Sequence, residues 1–326
     1  MTSFLQQAFN GLVSGGFYAL LALGLAVIFG MLRVVNFAHG AVYMLGAFGA
    51  VVLADDAGLG FWWALLIVPL ALAVAGTLLE RLIIRRLTAL DPLYNFLLTF
   101  GIALVCQDLL RMRYGSHSQP YDHAPFTGSL SLGLFDFPGY QVFALGVSVA
   151  VCLAVWLLLT RTRVGMVVRA ARGPPRPKQG GGGGTRRGGA AGWWVGVGRG
   201  GGGGGGGGAT ERPDLPRAFG IDTGRWVTPV FGFGIGLAGL AGVLAAPMRA
   251  VNSSMGADLI ITVFAVVVIG GLGSVFGSVL AGFVIGMLQA LGSLYVPVLS
   301  QTSVFLLMAV VLLLRPAGLF GKEEHA

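Results

Sequence analysis

Long apolar runs separated by short polar breaks organise the chain. Runs near 8–30, 37–53, 61–84, 94–110, 140–160, 226–246, 275–294 and 302–314, with a shorter one at 259–269, carry few charges. About 18 or more apolar residues, at about 1.5 Å of helix rise each, cross a hydrocarbon layer of about 30 Å. A helix satisfies its own backbone hydrogen bonds, which lipid cannot do. The pattern therefore predicts an all-α, polytopic helical membrane protein with eight or nine crossings, depending on the short run. Residues 1–7 hold no Lys or Arg and no cleavage pattern follows the first short apolar core, so the first span reads as retained.

Composition agrees: 55% of the 326 residues are hydrophobic and 10% charged, with a mean hydropathy of +0.82. Soluble domains carry about a quarter charged residues, so a soluble enzyme is excluded. The net charge of +8 changes the picture less than its size implies. Six basic residues, Arg172, Arg176, Lys178, Arg186, Arg187 and Arg199, fall in the acid-free segment 172–209, and removing them leaves +2 for the rest. The charge thus gives no reason to expect nucleic acid as a partner; the expected environment is a lipid bilayer. Cys106 and Cys152 both lie in apolar runs and read as buried free thiols.

Connections rich in Lys and Arg stay on the cytoplasmic side. Arg33, the group Arg81, Arg85 and Arg86, then Arg161, Arg163 and Arg169, and finally Arg315 with Lys322 are expected inside. The connections at Asp55-Asp56 and 115–139 lack basic residues and are expected outside. Alternation then puts the N-terminus out and the C-terminus in, provided three crossings follow Arg249, which is itself an exception to the rule.

Two glycine-punctuated breaks interrupt the apolar pattern, one at 29–40 with Asn36, His39 and Gly40, the other at 269–277 with Gly270, Gly271 and Gly273. Such interruptions at corresponding places in two halves are the trace of internal repeats in transporters, where broken helices line a path. Close packing through small residues accounts for the same glycines without a path. On a helix, Asn36 and His39 at i, i+3 share a face and can offer polar groups to a cavity; equally, Asn36 can cap the restarting helix and His39 bond backbone.

Other chemistry finds little support. His117, Asp122 and His123 form too thin a set for a metal site, and no cofactor is expected. Gly208 leads into Ala209-Thr210-Glu211 rather than Gly-Lys-Ser/Thr, so the glycine run is not a phosphate loop. No nucleophile or zinc-protease motif stands out, and the chain does not read as an enzyme. Glu80 beside Arg81, Asp108 near Arg111 and Asp258 at the short run read as interfacial rather than as coupling carboxylates inside a span. Gln107, Gln289, Asn95 and Thr99 can line a path or bond neighbouring helices.

The run Val35-Asn36-Phe37-Ala38-His39-Gly40-Ala41-Val42-Tyr43-Met44-Leu45-Gly46 resembles a signature of the bacterial branched-chain amino acid ABC-transporter permeases, of the high-affinity leucine-system type. The blocks from Ala265 to Ser274 with Gly277, and from Arg315 to Gly321, resemble later blocks of that family in the same order. The resemblance spans 1–171 and 210–326, expected to form one permease domain from N-terminal and C-terminal transmembrane parts. It implies an inner-membrane permease subunit that pairs with a related permease subunit and is driven by two cytoplasmic ATPase subunits. A periplasmic substrate-binding protein would deliver leucine, isoleucine or valine; family members for urea, short amides and other amino acids exist. The counterpart of the family's ATPase-docking loop runs from Thr162 to Ala171 and on to Asp222, and puts Arg169, Ala170, Gly220 and Ile221 at the docking position. A plain basic loop obeying the inside rule accounts for the same charges.

Residues 172–209 depart from the family. Joining Ala171 to Thr210 gives a continuous family-like loop, and glycine this dense brings large ordering entropy and no apolar surface, so a disordered tether is expected. The abrupt composition change and clean join fit an error or frameshifted run in GC-rich DNA; an arm using Arg186, Arg187, Trp193 and Trp194 against an anionic partner is the alternative. The expected function is inward alternating-access transport of a small zwitterionic amino acid. A channel or ion-coupled facilitator for a neutral solute such as urea or an amide would instead work without ATPases, and a structural scaffold would not transport at all.

Overall fold

A computed structural model describes residues 2–32, 35–87, 92–126, 128–131, 136–162, 165 and 223–321. Within them the chain runs α1 (Thr2–Leu32), α2 (Ala38–Asp55), α3 (Phe61–Leu79), α4 (Pro92–Tyr114), β1 (Ser129–Ser131), β2 (Asp136–Pro138), α5 (Gly139–Arg161), α6 (Thr223–Ala245), α7 (Met255–Gly270), α8 (Val275–Tyr295) and α9 (Thr302–Leu314). A π-turn at Glu80–Ile84 and a last stretch Arg85–Leu87 prolong α3. The fold is a polytopic helical bundle. Seven of the described helices are long and apolar enough to cross a membrane, while α7 and α9 are apolar but shorter.

Small residues let the central helices approach closely, as in membrane bundles where lipid competes equally for larger apolar side chains. On α1, Gly11 and Gly15 lie against Gly286, Gly282 and Phe283 of α8. Gly232, Gly236 and Gly239 on α6 face Thr77, Ala73 and Leu72 of α3, while Gly239 and Gly242 meet Gly46 and Tyr43 on α2. Gly234 of α6 meets Gly24 and Ile28 of α1. α1 is accordingly enclosed, with Phe17 through Leu23 and Leu25 through Ile28 buried. By contrast α3 and α4 expose Leu66, Leu70, Leu78, Leu97, Leu104 and Leu109, an apolar outer face suited to lipid or another membrane subunit.

The helix ends sort into two groups. At one end the ribbon β1–β2 pairs antiparallel, with Leu130 opposite Phe137, Phe9 of α1 touches Phe137, and Gln119 exchanges two backbone hydrogen bonds with Val251, at 2.7 and 3.2 Å. At the other, the α7–α8 turn meets the end of α1 near Gly30 and the tail at 318–321. Arg111 and Arg113 close α4 just before the loop at the first end, so basic residues are not confined to the end that was expected inside.

Candidate functional site

The first break folds back into the bundle. α1 ends at Leu32, yet His39 in the first turn of α2 stands beside Leu21, its Nε2 bonding the Leu21 carbonyl at 3.0 Å. Eleven residues separate Leu21 from Leu32, so α2 starts roughly 16 Å back along α1 at helical rise. A carbonyl only accepts, so Nε2 is the nitrogen that carries a proton and donates it. His39 is fully buried, and its Nδ1 has no partner. Gly24 makes the room: a Cβ there would stand 3.0 Å from the His39 ring and 2.7 Å from the Gly234 carbonyl.

Asn36 lies before the helix, so it and His39 do not share a helical face. Its Oδ1 accepts from Ala38 N at 3.0 Å and its carbonyl accepts from His39 N at 3.2 Å, the local bonding by which asparagine starts helices. Its Nδ2 is buried without a partner. Phe37 continues the cap: Thr99 Oγ1 accepts its N–H at 3.3 Å, and its ring packs on Phe96, 4.8 Å between centroids. Gly40 follows, backbone to backbone with Gly256 at the start of α7.

The second break is a surface-end turn rather than a mid-bundle one. Gly270 ends α7 against the Gly277 backbone, and Gly271 and Gly273 take φ of +100° and +80°, a region open to glycine without penalty. Ser274 caps α8, its Oγ accepting from Gly277 N at 3.2 Å. The C-terminal tail closes α7 in turn: Leu319 N donates to Ile269 O at 2.9 Å and Phe320 N to Gly270 O at 3.2 Å. Gly273 faces Gly30, whose Cα would stand 3.6 Å from a side chain's first carbon at position 273. The two breaks thus sit at different heights along α1, and α7 links them, starting at Gly40 and ending at Gly271.

Glu80 is a feature that sequence reasoning placed differently. Rather than sharing an interface with Arg81, it is 1% exposed and accepts from Thr228 Oγ1 of α6 at 2.5 Å, while Arg81 points out. The π-turn that begins at Glu80 adds a residue to the helical repeat, and so shifts which side chain faces α6. Gln289 accepts from the Tyr18 hydroxyl at 2.7 Å. Among the described residues no group of three or more His, Cys, Asp and Glu stands ready for a metal. Arg169, Ala170, Gly220, Ile221 and the segment 172–209 lie outside the described residues.

An enclosed helix, a second one restarting halfway along it, and buried polar groups at the restart define a transport-type membrane bundle. The chain belongs to the family described as the permease component of branched-chain amino acid transport systems, whose model matches 7–182 and 209–314. It is 25% identical over 336 residues to the Escherichia coli K12 protein named high-affinity branched-chain amino acid transport system permease protein LivH, covering 98% of this chain and 96% of that one. The Pseudomonas aeruginosa permease protein BraD is 26% identical, over 98% and 97%. A Methanocaldococcus jannaschii protein named as a probable permease of the same kind is 24% identical, over 96% and 91%. No solved structure matches.

Proposed function

We propose that this chain is the membrane permease subunit of an ATP-driven importer, and that it moves a branched-chain or related amino acid inward by alternating access. It sits in the inner membrane with its C-terminus cytoplasmic, beside a related permease subunit, and two cytoplasmic ATPases supply the work while a periplasmic binding protein supplies the substrate. Family membership supports the class of transport. The observation that carries the path is the restart of α2 beside Leu21, where Asn36 Nδ2 and His39 Nδ1 are buried and unpartnered. Irregular backbone at membrane depth persists where it is enclosed by protein or lines a cavity. Gly40, Gly270, Gly271 and Gly273 keep the backbones around α7 close, so a shift of α7 would be felt at both breaks.

ATP-driven closure needs a cytoplasmic element that fits a groove on the ATPase. Arg169 and Ala170, with Gly220 and Ile221, are assigned that role. The test is uptake of labelled leucine by a transport-deficient bacterium that expresses the chain with its partner subunits. Uptake that vanishes with an ATPase-dead partner is expected. Flux that persists without the ATPases would replace the reading with a facilitator for a neutral solute, and no flux of any branched-chain amino acid would overturn it.

A further inference from the structure

Arg249 breaks the inside rule, and its surroundings give a reason. Helix α6 ends at Ala245 and α7 begins at Met255. The Leu244 carbonyl accepts from Tyr140 at the head of α5, at 2.7 Å, whereas Gly256 already touches Gly40 in the first turn of α2. Residues 246–254 therefore descend from the end of the bundle to the level of Leu21–Gly24 without forming a helix. Val251 and Ser253 are buried on the way, and Gln119 pins Val251 from the loop above.

The half-buried Arg249 hangs from this descending segment. Its guanidinium lies within electrostatic reach of both Tyr18 and Tyr43. Tyr18 in turn donates to Gln289 of α8. Tyr43 is fully buried, and its hydroxyl has no partner. Among the described residues only these tyrosines act on the arginine's charge; no carboxylate does. Ending α6 does not need this side chain, since the Arg249 backbone N–H already bonds Ala245 O at 3.0 Å. A guanidinium offers five donors in a fork matched to a carboxylate. A cation inside a membrane bundle, with neutral neighbours and irregular backbone around it, marks a route for an anionic group.

We propose that Arg249, Tyr43 and Tyr18 form a station on the inward route that binds the α-carboxylate of the transported amino acid. Arg249 supplies the charge-assisted fork, the Tyr43 hydroxyl donates to the same group, and Gln289 holds Tyr18 in place. The inference deepens the permease reading and rests on it.

The test uses the complete transporter in proteoliposomes, this chain with its partner permease, ATPases and binding protein, and labelled L-leucine as the probe. Arg249→Gln should cut uptake at least tenfold and raise the ATP consumed per leucine moved by a similar factor. Arg249→Lys should recover part of it, because a point charge remains without the fork, and Tyr43→Phe should lower uptake about threefold, a single lost hydrogen bond. Wild-type uptake in both Arg249→Gln and Tyr43→Phe would overturn the proposal. So would a loss in which uptake and ATP hydrolysis fall together at equal assembled amounts, the mark of a structural arginine. If Arg249→Gln does not assemble, Tyr43→Phe decides alone, and normal uptake there overturns the station. Wild-type transporter that moves none of leucine, isoleucine or valine would instead sink the permease reading, and the station with it.

Discussion

Gly40 is packed so that no side chain fits: a Cβ would collide with the Gly256 carbonyl and stand 2.8 Å from Ile260 Cβ. Both neighbours belong to α7, so a larger residue must push that helix from α2 rather than turn a flexible side chain aside. Gly40→Leu should destabilise the purified protein by on the order of 3 kcal/mol, the upper range for overpacking, seen as a lower melting temperature in detergent. Gly101→Ala and Gly146→Ala are the controls, since nothing lies within 4 Å of either added Cβ; a Gly40→Leu protein melting with these controls would remove the contact from consideration. At this scale the sequence is a fair guide to which residues are unusual and a poor one to what they touch. Asn36 is legible as a cap because its partner is two residues away. The contact of His39 with Leu21, 18 positions back, depends on how far the chain doubles back, which no local pattern encodes.

Helices are read well where the bilayer dictates them. The apolar run at 61–84 corresponds to α3 and its π-turn, and that at 275–294 to α8, because a span must be apolar over most of its length whatever it packs against. Breaks are read less well, since Gly and Asn mark an interruption without its depth. The run 29–40 and the run 269–277 look alike as strings, yet one restarts beside Leu21 and the other turns at the end of α1. The end of α7 shows a further dependence on distant chain: its last carbonyls are met by the tail 50 positions on, through Leu319 N and Phe320 N. Helix ends leave such carbonyls unpaired unless something meets them. Leu319→Pro removes one of those donors next to Ile269, itself 1% exposed, and should cost about 1–3 kcal/mol, whereas Leu319→Ala keeps the N–H and should cost less. Faster amide exchange in 268–273 for the proline variant checks the assignment; equal exchange in both variants would detach the tail from α7.

For the whole molecule, the decisive question is the segment between α5 and α6. The family model matches up to 182 and resumes at 209, so 183–208 has no counterpart there, and the residues on either side read as one loop when Ala171 is joined to Thr210. Nine consecutive glycines, 200–208, contribute no apolar surface to a core and carry the largest ordering entropy of any residue. Bundle stability should therefore be nearly indifferent to them: doubling a loop's length adds only about 0.6 kcal/mol to its closure. On the docking role proposed above for Arg169, Ala170, Gly220 and Ile221 the cost would fall on function, because the segment separates the two halves of that loop in sequence and an ATPase groove would have to meet both at once to push on the spans. Deleting 172–209 should leave the melting temperature within a few degrees and the membrane level unchanged, while raising ATPase-dependent leucine uptake per assembled transporter at least twofold. Equal uptake would show that the loop docks as well with the segment as without it. Loss of uptake at equal assembly would make the segment part of the machinery and turn attention to Arg186, Arg187 and the Trp193-Trp194 pair as contacts to an anionic partner.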